Sequence, residues 1–510
     1  MNSIAAAAEP RLSRLTLVGI SAAGLLLGIT TVFYSWTGST SIFSYVAYRI
    51  LEGGVAYLHG WDIKGPGVYY FFALAHGILG PSPAAFRMLE VLWETATALA
   101  LAGIAVRVYG KQAAAVFGGS AYLVLYFSQN FWNLAISDGL LNLPLALAFL
   151  ILLRALEQDR AWQWGVAGFL VGVAALFKLP FGLAGVPMLW AAWSVSPGNR
   201  GALVRRWAGL GGGLVACFAP VALYFAAKGA FEAFYSAYVF AAAAHTERHR
   251  EFLALPCFIE NANKPVRYPL YAVALLGLLS LFVPGRGGKA AAQRRAEFLL
   301  LGWLGVVVAV FLMHGAYADY HFLPAMAPVV ILAGGLVQHL FLAGEGGRVR
   351  KLAVGVAIAA LLVIPAEKFR QHAKFAYGAL TRPSPPPFMH ELSEKLRANT
   401  AAEDRIFVWG EIAEIYLDAG RKSPSRFATT YHLGTPMRYV NYRDIFLSEF
   451  RADLPKYFVL IKSEKPNHPC AESLVDMDQA YYEFTELRTQ VESGYHAVED
   501  TPEYVLYLRN

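Results

Sequence analysis

Residues 15–34 read LTLVGISAAGLLLGITTVFY, an uncharged run that follows Arg11 and Arg14. About twenty apolar residues are enough to cross the hydrocarbon core of a bilayer as a helix. The run is longer than the apolar core of a usual signal peptide, and no Ala-x-Ala-like cleavage site follows it. We therefore expect an uncleaved first membrane span whose N-terminus lies in the cytoplasm.

Similar runs recur along the first 366 residues. A window of about 19 residues predicts about eleven spans in all. After the first, they lie near 85–106, 111–128, 139–154, 161–178, 180–195, 207–227, 267–284, 297–314, 322–343 and 351–366. The chain is 56% hydrophobic and 15% charged, whereas soluble domains are roughly 25% charged. The sequence thus predicts a polytopic α-helical membrane protein.

The distribution of basic residues predicts the orientation. The segment 66–80 is apolar but too short for a usual span, so we expect it to lie at the membrane surface as a juxtamembrane helix. All basic clusters between the spans then fall on the side of Arg11 and Arg14, as the positive-inside rule requires. These clusters lie at 107–111, 154–160, 200–206, 286–295 and 348–351. Because the net charge of +7 resides in such short clusters, nucleic acid is not expected as a partner.

The composition changes after residue 366, where charged residues become frequent and no further run could span a bilayer. Short apolar strands are predicted at 405–409, 457–461 and 504–507, with helices between them. About 140 residues can form one independent core. We therefore predict a membrane domain over 1–366 and a small extracytoplasmic α/β domain over 367–510.

The predicted topology collects several ionisable residues at the outer face of the membrane. They are Asp62, Lys64, Asp138, Lys178, Arg248 and Arg250 within the run 245–251, and His321 after Tyr320. Ionisable residues near membrane depth are costly and suggest a functional site. Plainer explanations remain for each: a loop charge pair for Asp62 and Lys64, a helix cap for Asp138, snorkelling for Lys178, an interfacial histidine for His321 and a solvated face for 245–251.

An ordered set of motifs resembles a known family. The first outer loop carries Glu52-Gly53-Gly54, Trp61-Asp62-x-Lys64-x-Pro66, Gly80-Pro81-Ser82-Pro83 and Arg87; Phe177-Lys178-Leu179-Pro180, Tyr320-His321-Phe322-Leu323-Pro324 and Val408-Trp409-Gly410 follow. Together they resemble the C superfamily of polyprenyl-phosphate-sugar glycosyltransferases, nearest to the protein O-mannosyltransferase and aminoarabinose transferase group. The resemblance implies that 1–366 is a transmembrane glycosyltransferase domain of a bacterial inner-membrane protein.

The implied reaction moves a sugar from a polyprenyl-phosphate donor to a glycolipid, glycan or protein acceptor. Such transfer needs a base for the acceptor's proton and cations for the leaving phosphate. Asp62 or Asp138 could serve as the base, or both could bind a divalent metal ion, Mg²⁺ or Mn²⁺. Lys64, Lys178 and His321 are candidate phosphate contacts, with Arg248 and Arg250 in reserve.

One departure and one alternative accompany this interpretation. The family commonly carries an acidic residue before the first outer-loop helix, but residues 38–44 read GSTSIFS and contain none. Either Asp62 or Asp138 takes the base role, with Asp319 as a rival, or the active site has a different arrangement, or the chain is a catalytically weak relative. The alternative is a membrane transporter or flippase for a lipid-linked or small polar substrate, although internal repeats typical of transporters are not evident.

Overall fold

The computed structural model describes residues 11–243, 255–282, 290–314, 318–342, 348–381, 388–434, 441–462 and 476–510. A bundle of apolar helices fills the first part of the chain, and a small four-stranded sheet with helices lies near the C-terminus. This architecture confirms the predicted polytopic α-helical fold with a C-terminal α/β unit.

The helices of the first part are α1 to α16. Their bounds are α1 Arg14–Gly28, α2 Gly38–Leu51, α3 Pro66–Leu79, α4 Pro83–Tyr109, α5 Gln112–Phe127, α6 Ser137–Leu140, α7 Asn142–Gln158, α8 Ala161–Phe177, α9 Gly185–Ser194, α10 Arg200–Ala227, α11 Phe231–Tyr235, α12 Leu255–Ala262, α13 Tyr268–Ser280, α14 Ala290–His314, α15 Leu323–Leu342 and α16 Arg348–Thr381. Every predicted span coincides with helical structure. The predicted span 180–195 is divided into a 3-10 turn, Leu179–Ala184, and the short helix α9.

Six helical segments in the described part are long and apolar enough to cross a membrane: Arg14–Phe33, Pro83–Tyr109, Ser137–Gln158, Arg200–Ala227, Ala291–His314 and Asp319–His339. Shorter apolar helices include Gln112–Phe127, Ala161–Phe177 and Pro265–Ser280. The segment predicted to lie at the surface is α3, which is also short and begins with Pro66 in its first turn.

Close packing of α8 against α10 illustrates how the bundle is held together. A Cβ added to Gly168 would lie 2.0 Å from the carbonyl oxygen of Leu210, and one added to Gly213 would lie 1.9 Å from that of Gly165. Small residues at helix contacts let backbones approach closely, which is a main source of helix association in lipid. The α8–α10 pair therefore forms a tight support for the end of α8, where Lys178 follows.

The C-terminal sheet has the strand order β1-β2-β4-β3, with β1 Ile406–Trp409, β2 Tyr457–Ile461, β3 Tyr495–Asp500 and β4 Tyr504–Arg509. β1 and β2 are parallel, whereas β4 is antiparallel to both β2 and β3. The helices of this part are α17 Phe388–Ala398, α18 Glu414–Ala419, α19 Tyr431–Gly434, α20 Tyr442–Ala452, α21 Met477–Glu483 and α22 Thr485–Gly494. Three of the four strands were predicted. β3 was missed because it is an edge strand with mostly exposed side chains.

The boundary between the two parts follows a long helix. α16 continues without a break from Arg348 to Thr381, so the predicted division at residue 366 falls inside it. Pro365 lies within the helix at the point where charged residues become frequent. The division into 1–366 and 367–510 stays a prediction, and the described helical backbone extends fifteen residues beyond it (381 − 366 = 15).

Candidate active site

The loop between α2 and α3 is folded back on itself. Glu52 caps the C-terminus of α2, and Gly53 follows with a φ of 90°. Tyr57 is fully buried, and its backbone N–H donates to the carbonyl of Gly60 at 2.7 Å. The loop is therefore an ordered, buried element that holds Asp62 and Lys64 in place.

The Gly65-Pro66-Gly67 sequence allows this loop to contact the end of α8. A Cβ at Gly65 would lie 2.0 Å from the carbonyl oxygen of Leu176, a separation that no side chain could tolerate. Leu176 precedes Lys178 by two positions. The glycine therefore brings the segment carrying Asp62 and Lys64 against the segment carrying Lys178, as the predicted convergence requires.

Asp138 and Lys178 form a buried ion pair. The Lys178 Nζ lies 2.6 Å from Asp138 Oδ1, and the side chains are 12% and 2% exposed for Lys178 and Asp138. The Ser137 hydroxyl donates to the other oxygen, Oδ2, at 3.1 Å. Asp138 lies inside the short helix α6 instead of capping it. The two buried charges therefore neutralise each other. Asp138 does not act as a helix cap, and the Lys178 side chain points to Asp138 instead of extending along the membrane surface.

Asp62 is a half-buried carboxylate held by several donors. The Tyr69 hydroxyl lies 3.0 Å from Asp62 Oδ2 and 3.2 Å from the Lys64 carbonyl oxygen. Burial raises the pKa of Asp62 above its ordinary value, while the Lys64 ammonium and backbone N–H groups partly oppose this shift. A carboxylate with a raised pKa accepts a proton more readily, which suits a general base.

Lys64 differs from Lys178 in its charge environment. Its Nζ lies 5.8 Å from the ring centroid of Tyr320, within cation–π distance. The Lys64 carbonyl accepts from the Tyr57 hydroxyl at 2.8 Å, which fixes its backbone. Within the described ranges, no carboxylate lies at ion-pair distance from Lys64. Lys64 is thus the less neutralised of the two candidate phosphate-binding lysines.

The Tyr320-His321 segment forms a 3-10 turn, Asp319–Phe322, at the start of α15. Both rings are buried, with centroids 4.6 Å apart. The neighbouring Asp319 is occupied by two cations, because Lys264 Nζ and Arg267 Nη2 lie 3.0 and 3.2 Å from its Oδ1. This pairing makes Asp319 a weaker candidate for the base than Asp62.

Arg248 and Arg250, with the rest of the run 245–251, lie outside the described residues, so their predicted role as reserve phosphate contacts stays a prediction.

A metal role for Asp62 and Asp138 also stays a prediction. In the described part of the chain, no group of three or more His, Cys, Asp or Glu is placed to hold a metal ion. Lys178 Nζ contacts one oxygen of Asp138 and the Ser137 hydroxyl contacts the other.

A buried network of Arg87, Glu90 and Tyr126 was not predicted from the sequence. Arg87 and Glu90 form an ion pair at 3.2 Å, with both side chains fully buried. The Tyr126 hydroxyl donates to Glu90 Oε1 at 2.6 Å, and the backbone N–H of Ala135 donates to the same oxygen. Ala135 has a φ of 57°, which is unfavourable for alanine. Glu90 therefore holds the turn that leads into Asp138.

The signal for this network was present in the predicted span 85–106. Arg87, Glu90 and Glu94 are spaced three and four residues apart, which places them on one face of a helix. Three ionisable residues on one face of an apolar helix indicate a polar network inside the bundle.

We expect Glu90→Gln to lower stability, because it leaves the Arg87 guanidinium buried without its counter-charge. Removing one partner of a buried ion pair typically costs about 3–5 kcal/mol. Thermal unfolding in detergent measures this change. Glu94→Gln is the matched control, since Glu94 accepts from Tyr122 at 2.6 Å and has no cation partner among the described residues. Equal losses in the two variants would contradict the role of Glu90.

The C-terminal part contacts the same outer loop. The backbone N–H of Trp61 donates to the Arg426 carbonyl at 2.9 Å, and its ring packs against Phe427, His432 and Tyr442. The Tyr45 hydroxyl of α2 accepts from the Ser423 N–H at 3.1 Å. Asp62 therefore follows directly after a residue that is anchored in the C-terminal domain.

Comparison with known proteins agrees with this architecture. Residues 63–225 match the family model described as dolichyl-phosphate-mannose-protein mannosyltransferase. No curated protein sequence matches the chain. Among solved structures, ArnT from Cupriavidus metallidurans bound to undecaprenyl phosphate is similar with a TM-score of 0.60 and 13% identity, covering 97% of this chain and 98% of that chain.

Two further structures share the fold at greater distance. Archaeal oligosaccharyltransferase AglB from Archaeoglobus fulgidus, in complex with an inhibitory peptide and a dolichol-phosphate, has a TM-score of 0.52 and 12% identity, covering 97% of this chain and 74% of that one. Arabinofuranosyltransferase AftD from Mycobacteria has a TM-score of 0.52 and 13% identity, covering 98% of this chain and 42% of that one. The chain therefore shares its fold with these three proteins, and residues 63–225 match the mannosyltransferase family model.

Proposed function

We propose that this protein transfers a sugar from a polyprenyl-phosphate donor to an acceptor at the outer face of a bacterial inner membrane. The N-terminus then lies in the cytoplasm and the C-terminal domain outside. The observation that carries the proposal is the position of Lys64, a half-buried cation beside Tyr320 and two residues from Asp62. Lys64 makes no direct ion pair with a described carboxylate, and Asp62 acts on it only at longer range, so its ammonium group can contact an anionic ligand.

The lipid carriers bound to structural relatives support the donor class. ArnT is bound to undecaprenyl phosphate and AglB to a dolichol-phosphate. In both, the ligand is a phosphate on a long polyprenyl chain. A site at the membrane surface with a cation and a neighbouring carboxylate suits such a donor, because the phosphate needs a positive charge and the polyprenyl chain stays in lipid.

In the proposed reaction, the bond between the anomeric carbon and the phosphate oxygen breaks, and the acceptor oxygen bonds to that carbon. Lys64 stabilises the negative charge that develops on the leaving polyprenyl phosphate. Asp62 takes the proton from the acceptor. The Asp138–Lys178 pair and His321 lie on the side of the site that binds the polyprenyl-phosphate sugar. Lys178 supplies a second positive charge there, which Asp138 partly neutralises. The acceptor is a glycolipid, a glycan or a protein.

Purified protein in lipid nanodiscs, supplied with a panel of polyprenyl-phosphate sugars together with glycolipid, glycan and protein acceptors, tests the proposal. We expect at least one donor to release polyprenyl phosphate, whereas nucleotide sugars give no turnover. Failure of every polyprenyl-phosphate donor, or turnover of a nucleotide sugar, would contradict the proposal.

The same assay addresses the metal. Because Lys178 already neutralises Asp138, we expect EDTA to leave turnover unchanged. Loss of turnover that Mg²⁺ or Mn²⁺ restores would instead favour a divalent ion held by Asp62 and Asp138. The transporter or flippase alternative gains no specific support from the described residues, and transport without sugar transfer would be its signature.

A further inference from the structure

A cavity lies between helices at the end of α7 that is away from Asp138. It has a volume of about 600 Å³ and is enclosed by the chain before α1, the C-terminal ends of α4 and α7, and the start of α8. Helix α7 begins at Asn142, four positions after Asp138, and Arg154 in the cavity wall lies twelve positions further on. Twelve residues of helix span about 18 Å. This space, called here the arginine cavity, is therefore distinct from the candidate active site.

The wall of the arginine cavity is strongly basic. Arg11, Arg107, Arg154 and Arg160 line it, and among the described lining residues there is no aspartate or glutamate. Arg107 pairs with Glu157, which lies outside the wall. A volume of this size is typical of ligand pockets. Arg11, Arg154 and Arg160 have no ion-pair partner among the described residues, and their positive charge favours an anionic ligand.

Apart from Gln158 and Gln163, the remainder of the wall is apolar and partly exposed. Leu99 and Leu150 lie in it, together with Leu17 and Trp162, which are 38% and 55% exposed. Tryptophan is common where a membrane protein meets the headgroup region. An apolar wall beside a basic rim matches a ligand with an acyl chain and an anionic head.

Two buried polar atoms in the cavity lack partners. Arg154 Nε, a donor, and Gln163 Oε1, an acceptor, have no hydrogen-bond partner in the described part of the chain. Gln163 is only 2% exposed. Unsatisfied buried polar atoms are rare and call for a specific explanation. A headgroup with a phosphate to accept from Arg154 and a hydroxyl to donate to Gln163 would satisfy both.

We propose that the arginine cavity binds the headgroup of an anionic phospholipid that carries a phosphodiester and a free hydroxyl, the chemistry of phosphatidylglycerol. Its phosphate contacts the arginines, and one acyl chain follows the apolar wall. Basic pockets between membrane helices on the cytoplasmic side are known to select such lipids. With the proposed orientation, the cavity faces the cytoplasmic leaflet.

Fluorescence quenching by brominated lipids tests this proposal in nanodiscs of the full chain. The Trp162→Phe variant subtracts the signal of the other tryptophans. We expect brominated phosphatidylglycerol to quench Trp162 at a mole fraction at least about fivefold lower than brominated phosphatidylcholine. Each arginine near an anionic surface contributes about fivefold in affinity, so Arg154→Gln with Arg160→Gln should remove the preference.

The controls separate lipid binding from other causes. Arg14→Gln, an exposed site outside the cavity wall, should keep the preference, as should Arg154→Lys, which retains the charge. If the double variant does not fold, Arg160→Gln alone, at an exposed position, should lower the preference about fivefold. Equal quenching by the two lipids would overturn the proposal. Loss of the preference on adding millimolar inorganic phosphate would also overturn it, since the site would then bind free phosphate.

Discussion

Replacing Asp62 with Asn is expected to lower sugar transfer about a hundredfold or more, since general-base catalysis typically contributes 10²–10⁴-fold. Asparagine keeps the size of the side chain and can still accept from the Tyr69 hydroxyl. It cannot accept a proton, so the loss falls on kcat. Donor turnover with a matched acceptor in nanodiscs measures the effect.

The matched control is Glu52→Gln in the same loop. Glu52 is 45% exposed and pairs with Arg49 and Lys422, away from the buried carboxylate. We expect this variant to keep near-normal turnover with unchanged thermal stability. Full activity of Asp62→Asn would remove Asp62 from catalysis and direct attention to Asp138.

The pH dependence of the same reaction gives a separate signature. A base works only when deprotonated, so activity should rise with pH through the pKa of Asp62. Because burial raises that pKa, the acid limb of kcat/KM should lie above the ordinary range of an aspartate. The acid limb should disappear in the residual activity of Asp62→Asn. An unchanged limb in that variant would assign the titration to another group.

Lys64→Met is expected to lower kcat/KM for the donor about ten- to a hundredfold. A hydrogen bond from a charged group is worth roughly 1.5–3 kcal/mol, and each 1.36 kcal/mol changes a rate tenfold. Stability should change less than in a variant of a buried ion pair, since Lys64 makes no direct ion pair with a described carboxylate and interacts with Asp62 only at longer range. Steady-state kinetics over a range of donor concentrations measures the loss.

Lys178→Met provides the contrast, because it leaves Asp138 buried without its counter-charge. Loss of one partner of such a pair costs about 3–5 kcal/mol, so the single variant should be clearly destabilised. Lys178→Met combined with Asp138→Asn removes both charges and should recover most of the stability. Normal kinetics for Lys64→Met, together with a catalytic loss in the stable double variant, would shift the phosphate contact to Lys178.

The helical bundle was predictable because each long apolar run encodes a membrane-spanning helix by its own composition. The candidate residues Asp62, Lys64, Asp138 and Lys178 could be selected from the sequence, since charged residues contrast with the apolar runs around them, and their roles stay predictions. Their pairing was not predictable. Asp138 and Lys178 are forty positions apart, and their contact depends on how α6 and the end of α8 pack. The close contact of Gly65 with the carbonyl of Leu176 likewise could not be read from the sequence, because these residues lie on separate segments.

The misses have physical reasons of the same kind. β3 has little apolar pattern because, as an edge strand, it buries few of its side chains. Glu90 accepts a hydrogen bond from the backbone N–H of Ala135, 45 positions away. The pattern of side chains along the sequence cannot predict such a contact with a distant backbone group. The arginine cavity arises from residues on four separate segments, which the sequence showed only as basic clusters between spans.

The anchoring of Trp61 in the C-terminal domain has a consequence for how the protein can be divided. A truncated chain ending at Thr381 would expose Trp61 and Tyr45 to water, because their partners Phe427, Tyr442 and Ser423 would be missing. The loop bearing Asp62 would then lose the hydrogen bond from Trp61 to Arg426. The contacts of Trp61 and Tyr45 with the C-terminal part therefore help to hold the loop that carries Asp62, and a chimera that exchanges the C-terminal part must exchange these contact residues with it.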